Sequence, residues 1–273
     1  MPSYLETSME IAREAGALLA GYFEKRISYE LKGEYDLVTD ADRASERLIV
    51  ERLRSHFPGH SILAEEGGGH ENADGEYRWY VDPLDGTTNF AHGFPMFNVT
   101  LALAKAGELI AGCIYDPIHD EMFSAERGSG AWLNNRPMRV SKAARVQDSL
   151  VATGFPSRKR HLNVNVHFYY QMAMCSHGVR RAGSAALDLA YVASGRLDAF
   201  WEFGLKPWDM AAGILLVAEA GGKVSDMNGA RAEIGGAHLL ADNGLIHGEV
   251  LGLFGEIFTG NYRTPLPEMA PVR

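Results

Sequence analysis

Residues Asp82–Asn89 have the sequence DPLDGTTN and follow a short apolar segment, Trp79–Val81, that is typical of a β-strand. The stretch places two carboxylates, Asp82 and Asp85, three residues apart on a predicted turn that is rich in hydroxyl and carbonyl oxygens. Magnesium prefers oxygen ligands and is usually held by a few carboxylates together with a substrate phosphate. The stretch therefore predicts a metal-assisted phosphate site.

The same residues also fit a structure without metal. Asp, Pro, Gly and Asn are common in turns, and Asp85 could cap a helix that begins near Thr87. Two further acidic segments favour the metal site. Ala64–Gly67 (AEEG) lies in a predicted loop before the strand, and Trp208–Gly213 (WDMAAG) lies more than a hundred residues downstream.

With these motifs the chain resembles the inositol monophosphatase family of metal-dependent, lithium-sensitive sugar phosphatases. The most specific motif is Asp82–Phe90, followed in the expected order by Trp208–Gly213. Arg180–Ala190 is similar to the bacterial branch of the family. The resemblance extends from Asp36–Thr39 to Glu219–Gly222 and so covers nearly the whole chain.

The resemblance implies a mixed α+β and α/β fold, an αβαβα sandwich whose layers are helix, sheet, helix, sheet and helix. Residues 1–145 are expected to form an N-terminal α+β half that carries most of the metal ligands. Residues 146–273 are expected to form a C-terminal α/β half with Asp209 and the substrate-recognition residues. The metal site is expected between the two halves.

Hydrophobic periodicity predicts the elements directly. A capping box at Ser3–Glu6 begins a helix that ends near Lys25, a second helix covers residues 41–57, and apolar strands then form an antiparallel sheet. Beyond residue 145 strands alternate with helices. The last helix is predicted over residues 244–258, with a loose tail from Thr264 onward.

Bulk composition limits the possible functions. The chain has 273 residues, 46% hydrophobic and 22% charged, which is ordinary for a globular protein. Its net charge of −9 argues against direct binding of nucleic acid, and an acidic phosphatase needs cations to attract an anionic substrate. Cys113 and Cys175 are predicted to be buried, inert thiols, which suits a cytoplasmic protein without signal peptide or membrane span.

The metal ligands are implied by the resemblance. Glu65 and Asp82, with the backbone carbonyl of Leu84, would hold one ion, and Asp82, Asp85 and Asp209 a second. The expected cofactor is Mg²⁺, two or three ions, with Mn²⁺ as a substitute and Li⁺ and Ca²⁺ as inhibitors. From the residues alone, Asp209 could serve only the helix dipole. Only the family register selects Glu65 over its neighbour Glu66.

The expected nucleophile is a water activated by the metal, since no Ser or Cys lies in a recognisable nucleophile motif. Thr87 and Asp42 match the family pair that orients and deprotonates this water. Asp42 could equally be an ordinary carboxylate of an early helical turn. Lys32 and Asp36 match supporting positions near the metal site.

Substrate contacts are also assigned by resemblance. The residues that match phosphate-binding positions are Gly86, Thr87 and Thr88, and those that match positions beside the sugar are Gly183, Ser184 and Ala185. Glu202 matches the residue that accepts hydrogen bonds from a polyol, although a glutamate at a strand end could lie at the surface. Arg180 and Arg181 could bind a second anion or pair across a dimer. Trp201 and Trp208 are predicted to pack in the core.

The leading function is hydrolysis of a small phosphorylated polyol or sugar, with inositol monophosphate first. Related activities on histidinol phosphate, fructose 1,6-bisphosphate, NADP(H) or adenosine 3′,5′-bisphosphate stay open. So does a second role as a regulator that binds the transcription machinery. The chain is expected to form a homodimer and to bind neither membrane nor nucleic acid.

Overall fold

The computed structural model describes residues 3–25, 29–31, 37–72, 75–155 and 163–266. These residues form seven α-helices and fourteen strands. In chain order the elements are α1 (Tyr4–Lys25), β1 (Tyr29–Leu31), β2 (Leu37–Thr39), α2 (Asp40–His56), β3 (Ser61–Ala64), β4 (Tyr77–Asp85), α3 (Thr87–Ala91), β5 (Asn98–Lys105), β6 (Glu108–Asp116), β7 (Glu121–Glu126), β8 (Gly130–Leu133), β9 (Arg136–Pro137), β10 (Leu150–Thr153), α4 (Asn165–Cys175), β11 (Gly178–Arg180), α5 (Ala185–Ala193), β12 (Ala199–Phe203), α6 (Pro207–Glu219), β13 (Lys223–Ser225), β14 (His238–Asp242) and α7 (His247–Phe258).

The first sheet has seven strands in the order β3-β4-β5-β6-β7-β8-β9. Neighbouring strands from β4 to β9 are antiparallel, as the apolar strand pattern predicts. Strands β3 and β4 are parallel. Helices α1 and α2 cover one face and bury Leu19 and Leu53 against Trp79 and Phe97. Ser3 and Glu6 form the predicted capping box, because each backbone N–H donates to the other side chain.

The second sheet has five strands in the order β11-β10-β12-β14-β13. Strands β11, β10 and β12 are parallel to one another, whereas β14 is antiparallel to both of its neighbours. Helices α4 and α7 pack on its outer face, where Phe168, Trp201 and Phe254 meet edge to face. Such aromatic contacts stabilise a core beyond the burial of their area.

Helices α5 and α6 lie between the two sheets. The apolar cluster around them takes side chains from both sheets, among them Ile114, Phe123, Phe200 and Leu239. The layers are therefore α1/α2, sheet, α5/α6, sheet and α4/α7, so the αβαβα prediction is confirmed. The division into halves at residue 145 stays a prediction.

Several local predictions differ from the structure. Asp82–Asp85 is not a turn, because β4 continues to Asp85 and its pairing with β5 shifts between these two carboxylates. Pro83 has no N–H to offer the ladder, which suits such an irregularity. The ribbon of β1 and β2 was not predicted, and α7 begins at residue 247 instead of 244.

The chain after α7 is held at the start of the predicted loose tail. Thr264 N donates to Gln171 Oε1 (3.0 Å), and Gln171 Nε2 donates to the carbonyl of Thr264 (2.7 Å). Tyr170 Oη donates to the carbonyl of Pro265. Among the helices of the described ranges, none combines the length and the apolar character that a bilayer span requires.

Candidate active site

A cavity of about 540 Å³ opens where the end of β4, the end of β12 and the first turns of α3, α5 and α6 meet. The predicted site residues that line it are Glu65, Asp82, Leu84, Asp85, Gly86, Thr87, Thr88, Gly183, Ser184, Ala185, Glu202 and Asp209. Asp42 lies behind Thr87, to which it is hydrogen-bonded. Lys32 and Asp36 lie outside the described residues.

Asp82 is the most buried carboxylate of the predicted ligand set, with 2% of its surface exposed. Its Oδ1 accepts a hydrogen bond from Leu84 N (3.0 Å). Burial raises the pKa of Asp82 well above its usual value, and the negative charges of Glu65, Asp85 and Asp209 raise it further. Such mutual repulsion between carboxylates is relieved by a cation, so the site favours positive charge.

Asp85 connects β4 to the start of α5. Its Oδ2 accepts from Asn98 Nδ2 (3.0 Å), Ser184 Oγ (2.6 Å) and Ala186 N (2.9 Å). Burial raises the pKa of Asp85, whereas the hydrogen bonds from Ser184 and Asn98 oppose the rise. One oxygen is thus committed to three donors, which fixes the orientation of the carboxylate.

Asp209 is the third residue of α6, and its Oδ2 accepts from Lys206 N (2.6 Å) at the helix start. The pKa of Asp209 is raised to about 8, by burial first and then by the charge of Asp85. One carboxylate oxygen of Asp209, Oδ2, thus serves the start of the helix, as the alternative interpretation of this residue predicts. The residue lines the cavity all the same.

The structure distinguishes Glu65 from Glu66, which composition alone could not. Glu65 lines the cavity. Glu66 lies in a loop clamped by Glu46 of α2, because Glu66 N and Gly68 N donate to the two carboxylate oxygens of Glu46 (2.6 and 2.7 Å). The clamp holds the backbone of the loop that directly follows Glu65.

The donor chemistry of this wall fits a hard divalent cation, because the charged groups facing it from the predicted set are carboxylates that share burial and mutual repulsion. Within the described ranges, no three acidic, histidine or cysteine side chains are close enough together to enclose an ion as they stand. The structure therefore brings these carboxylates to one cavity, but does not place them close enough together to coordinate a single ion.

Thr87 and Asp42 form the predicted pair. Gly86 has a φ of 92°, a conformation that favours glycine, and directs the chain into the short helix α3. Thr87 Oγ1 then donates to Asp42 Oδ1 (3.0 Å) and to the carbonyl of Leu84 (3.1 Å). Asp42 also completes a capping box with Thr39 at the start of α2, so both interpretations of this aspartate describe real contacts.

Glu202 is not a surface residue. It is 9% exposed on β12 and lines the cavity. Burial raises its pKa well above the usual value, with further increases from the charges of Asp209, Asp188 and Asp85. Asp188 was given no role from the sequence, yet it also lines the cavity and its buried Oδ1 has no hydrogen-bond partner in the described structure. Asp188 is four residues after Ser184, the N-cap of α5, and this spacing was an available signal.

Three aromatic residues, Phe155, Phe203 and Trp208, and two basic residues at the cavity were also missed or left undecided. Trp208 lines the cavity instead of packing in the core, whereas Trp201 is fully buried as predicted. Phe155, Lys206 and Arg181 contribute to the wall as well. The position of Trp208 directly before Asp209 could have indicated its place.

A layered αβαβα fold with an acidic cavity at the ends of both sheets is what the resemblance to a phosphatase family implies. The model of the inositol monophosphatase family matches residues 1–257. The chain belongs to the inositol monophosphatase family and is a phosphoric monoester hydrolase. Enzymes of this family are generally metal-dependent.

The relatives agree over nearly their full lengths. Inositol-1-monophosphatase from Mesorhizobium japonicum is 45% identical over 251 residues, which is 90% of this chain and 94% of that protein. A Pseudomonas aeruginosa protein named Nus factor SuhB is 46% identical over 251 residues, 89% and 92% of the two chains. The solved inositol monophosphatase from Anabaena is 45% identical, with a TM-score of 0.83 and coverage of 91% and 94%.

Proposed function

We propose that this protein hydrolyses small phosphorylated polyols with Mg²⁺, and that inositol monophosphate is its principal substrate. The observation that carries the proposal is the convergence of Asp82, Asp85, Asp209 and Glu65 on one cavity. The buried Glu202 in the same cavity supports a polyol. The similarity to proteins named inositol-1-monophosphatase supports the choice of inositol.

The carboxylates of Glu65, Asp82, Asp85 and Asp209, with the carbonyl of Leu84, would hold the ions. A divalent cation bound there supplies positive charge to the phosphoryl oxygens and lowers the pKa of water. We assign the phosphate to the side of the cavity formed by Gly86–Thr88, where backbone N–H groups and the Thr88 hydroxyl would serve as donors.

Thr87 and Asp42 would move the proton of the attacking water. The Thr87 hydroxyl donates to Asp42 Oδ1 and therefore presents its own oxygen as an acceptor. It takes a proton from the water as its own proton passes to Asp42. Asp42 is fully buried and its other oxygen is held by Thr39, which keeps the acceptor in place.

The opposite wall would recognise the alcohol part of the ester. Glu202 accepts hydrogen bonds from hydroxyl groups, and a carboxylate can serve two neighbouring hydroxyls at once. Gly183, Ser184 and Ala185 lie beside the ring in this arrangement. Lys32 and Asp36 keep their proposed supporting role near the ions.

The same proposal includes the wider properties of the protein. Two or three ions act together, Mn²⁺ substitutes for Mg²⁺, and Li⁺ and Ca²⁺ inhibit. The protein is a cytoplasmic homodimer that binds neither membrane nor nucleic acid. Histidinol phosphate, fructose 1,6-bisphosphate, NADP(H) and adenosine 3′,5′-bisphosphate would be weaker substrates, because bound ions would hold the phosphate that all of them share.

A panel of phosphate esters tests the proposal. Phosphate release is measured with each ester at equal concentration, in Mg²⁺, in Mn²⁺ and in excess chelator. The expected result is the highest kcat/KM with inositol 1-phosphate and no turnover in chelator. A higher kcat/KM with any of the other esters would overturn the choice of substrate, and turnover in chelator would overturn the metal dependence.

A regulatory role in transcription is the second candidate, supported by the similarity to a protein named Nus factor SuhB. The test is co-purification of RNA polymerase with the wild-type protein and with Asp82→Asn. Equal recovery with both would support a role separate from catalysis. Recovery with neither would refute the second candidate and leave the phosphatase untouched.

A further inference from the structure

Gly154 lies at the cavity wall, directly after β10 and beside β12. In the parallel pairing of these strands Thr153 is opposite Trp201, so the next residue along each strand brings Gly154 alongside Glu202. A methyl group built on Gly154 would overlap both carboxylate oxygens and the carboxylate carbon of Glu202. The carboxylate therefore occupies the space that a side chain at position 154 would fill.

The backbone does not demand glycine at this position. The φ of Gly154 lies outside the left-handed region in which glycine is favoured, so its φ does not call for glycine. The three atoms nearest to the added methyl group all belong to Glu202. A side chain at position 154 would thus take the space that the Glu202 carboxylate occupies.

The main chain at Gly154 is held by a buried hydrogen-bond network centred on Asn165. Asn165 Nδ2 donates to the carbonyl of Gly154 (2.7 Å) and to Thr153 Oγ1 (2.8 Å), and Trp201 Nε1 donates to Asn165 Oδ1 (2.6 Å). Thr153 Oγ1 donates to the carbonyl of Trp201 (2.6 Å). Buried networks of this kind are costly to break, so a side chain at 154 displaces the carboxylate of Glu202 and not the backbone.

We propose that Gly154 is a positioning residue that sets substrate selectivity by reserving the space in which the Glu202 carboxylate meets the hydroxyl groups of the substrate. The proposal rests on the proposed role of Glu202 as the polyol acceptor. Gly154 itself touches no reacting atom. It acts by having no side chain.

The experiment compares kcat/KM for inositol 1-phosphate with that for p-nitrophenyl phosphate, an ester whose alcohol carries no further hydroxyl group. In Gly154→Ala the ratio of the two falls about 10- to 100-fold, mainly through KM of the polyol ester, because one hydrogen bond to a charged group contributes that much to binding. Adding Glu202→Asp, which shortens the side chain by one methylene, raises the ratio again. Glu202→Asp alone lowers it, so the pair shows coupling in a double-mutant cycle.

Gly252→Ala is the matched control, because a methyl group there meets nothing within 4 Å and the residue lies on the exposed side of α7. It leaves the ratio unchanged. An unchanged ratio in folded Gly154→Ala, or a fall that Glu202→Asp does not reverse, overturns the proposal. Gly154→Ala could instead lose its fold. In that case, recovery of a thermal unfolding transition in the double variant with Glu202→Asp supports the claim that the two side chains compete for one space. No recovery overturns the proposal. A wild-type protein without preference for the polyol ester refutes the proposed function itself, and the role of Gly154 with it.

Discussion

Removing the hydroxyl of Thr87 separates the proposed proton path from the proposed cation site. Thr87→Val keeps the shape of the side chain and deletes the donor to Asp42 Oδ1 (3.0 Å) and to the carbonyl of Leu84 (3.1 Å). The carboxylates of Glu65 and Asp82 are left unchanged. The substitution therefore acts chiefly on the transfer of a proton, and it touches the proposed ion site only through the carbonyl of Leu84.

Two magnitudes follow from this geometry. General-base assistance contributes about 10²- to 10⁴-fold to a rate, so kcat of Thr87→Val falls by that factor. Asp42 is fully buried and loses one of its hydrogen bonds. A hydrogen bond to a charged group contributes about 1.5–3 kcal/mol to the free energy of unfolding. In a large domain each kcal/mol changes Tm by roughly 2–4 °C, so Tm of Thr87→Val falls by about 3–12 °C.

The assay is steady-state phosphate release with a parallel calorimetric titration of Mg²⁺. Thr87→Ser, which keeps the hydroxyl, recovers most of kcat, and the Kd for Mg²⁺ stays within about threefold of wild type in both variants, a difference of less than 1 kcal/mol. Thr259→Val, on the exposed end of α7, removes a hydroxyl far from the cavity and leaves kcat unchanged. The relay is refuted if Thr87→Val keeps kcat within about threefold of wild type, or if Thr87→Ser is no better than Thr87→Val.

Three further outcomes are expected. Asp82→Asn lowers kcat/KM by at least about 10³-fold while circular dichroism shows an unchanged fold, since a neutral side chain replaces a carboxylate of the proposed cation site. Near-normal turnover would contradict the site assignment. Glu202→Ala lowers the ratio of kcat/KM for inositol 1-phosphate over p-nitrophenyl phosphate more than it weakens Mg²⁺ binding, and an identical substrate profile would remove Glu202 from substrate recognition. Burial raises the pKa of Cys113 to about 12 from 9.0. At pH 8 its thiolate fraction is therefore about 10³-fold below that of a free thiol, so its reaction with an aromatic disulfide reagent is slow. Rapid labelling of Cys113 in the folded protein would disprove its burial.

Much of the architecture could be predicted from the sequence, because helix and strand periods are local properties. Helix α5 occupies Ala185–Ala193 as predicted, and α1 ends at Lys25. The Asp82–Asp85 stretch was mistaken for a turn because its residue types favour turns. Its real conformation is set by pairing with β5, where Asp85 is opposite Asn98, and local composition does not contain that partner.

The site shows the same limit more clearly. The motifs supplied the carboxylates, but the residues missed at the wall become neighbours only through tertiary packing. Asp188 and Trp208 reach the cavity because α5 and α6 both begin there. Gly154 is meaningful only beside Glu202, 48 positions away, and that pairing depends on the register of β10 with β12. Glu65 and Glu66 are neighbours of one residue type, and only the fold shows that Glu65 lines the cavity.

Asp85 accepts three hydrogen bonds from residues far apart in the sequence, and this has a consequence during synthesis of the protein. A ribosome that has completed β4 and β5 has already made Asp85 and Asn98, but Ser184 and Asp209 are still to be translated. Since chains emerge from the N-terminus onward, the acidic pocket cannot take shape until the start of α6 has left the exit tunnel. A chain that stops before α6 therefore lacks Asp209 and cannot form this pocket.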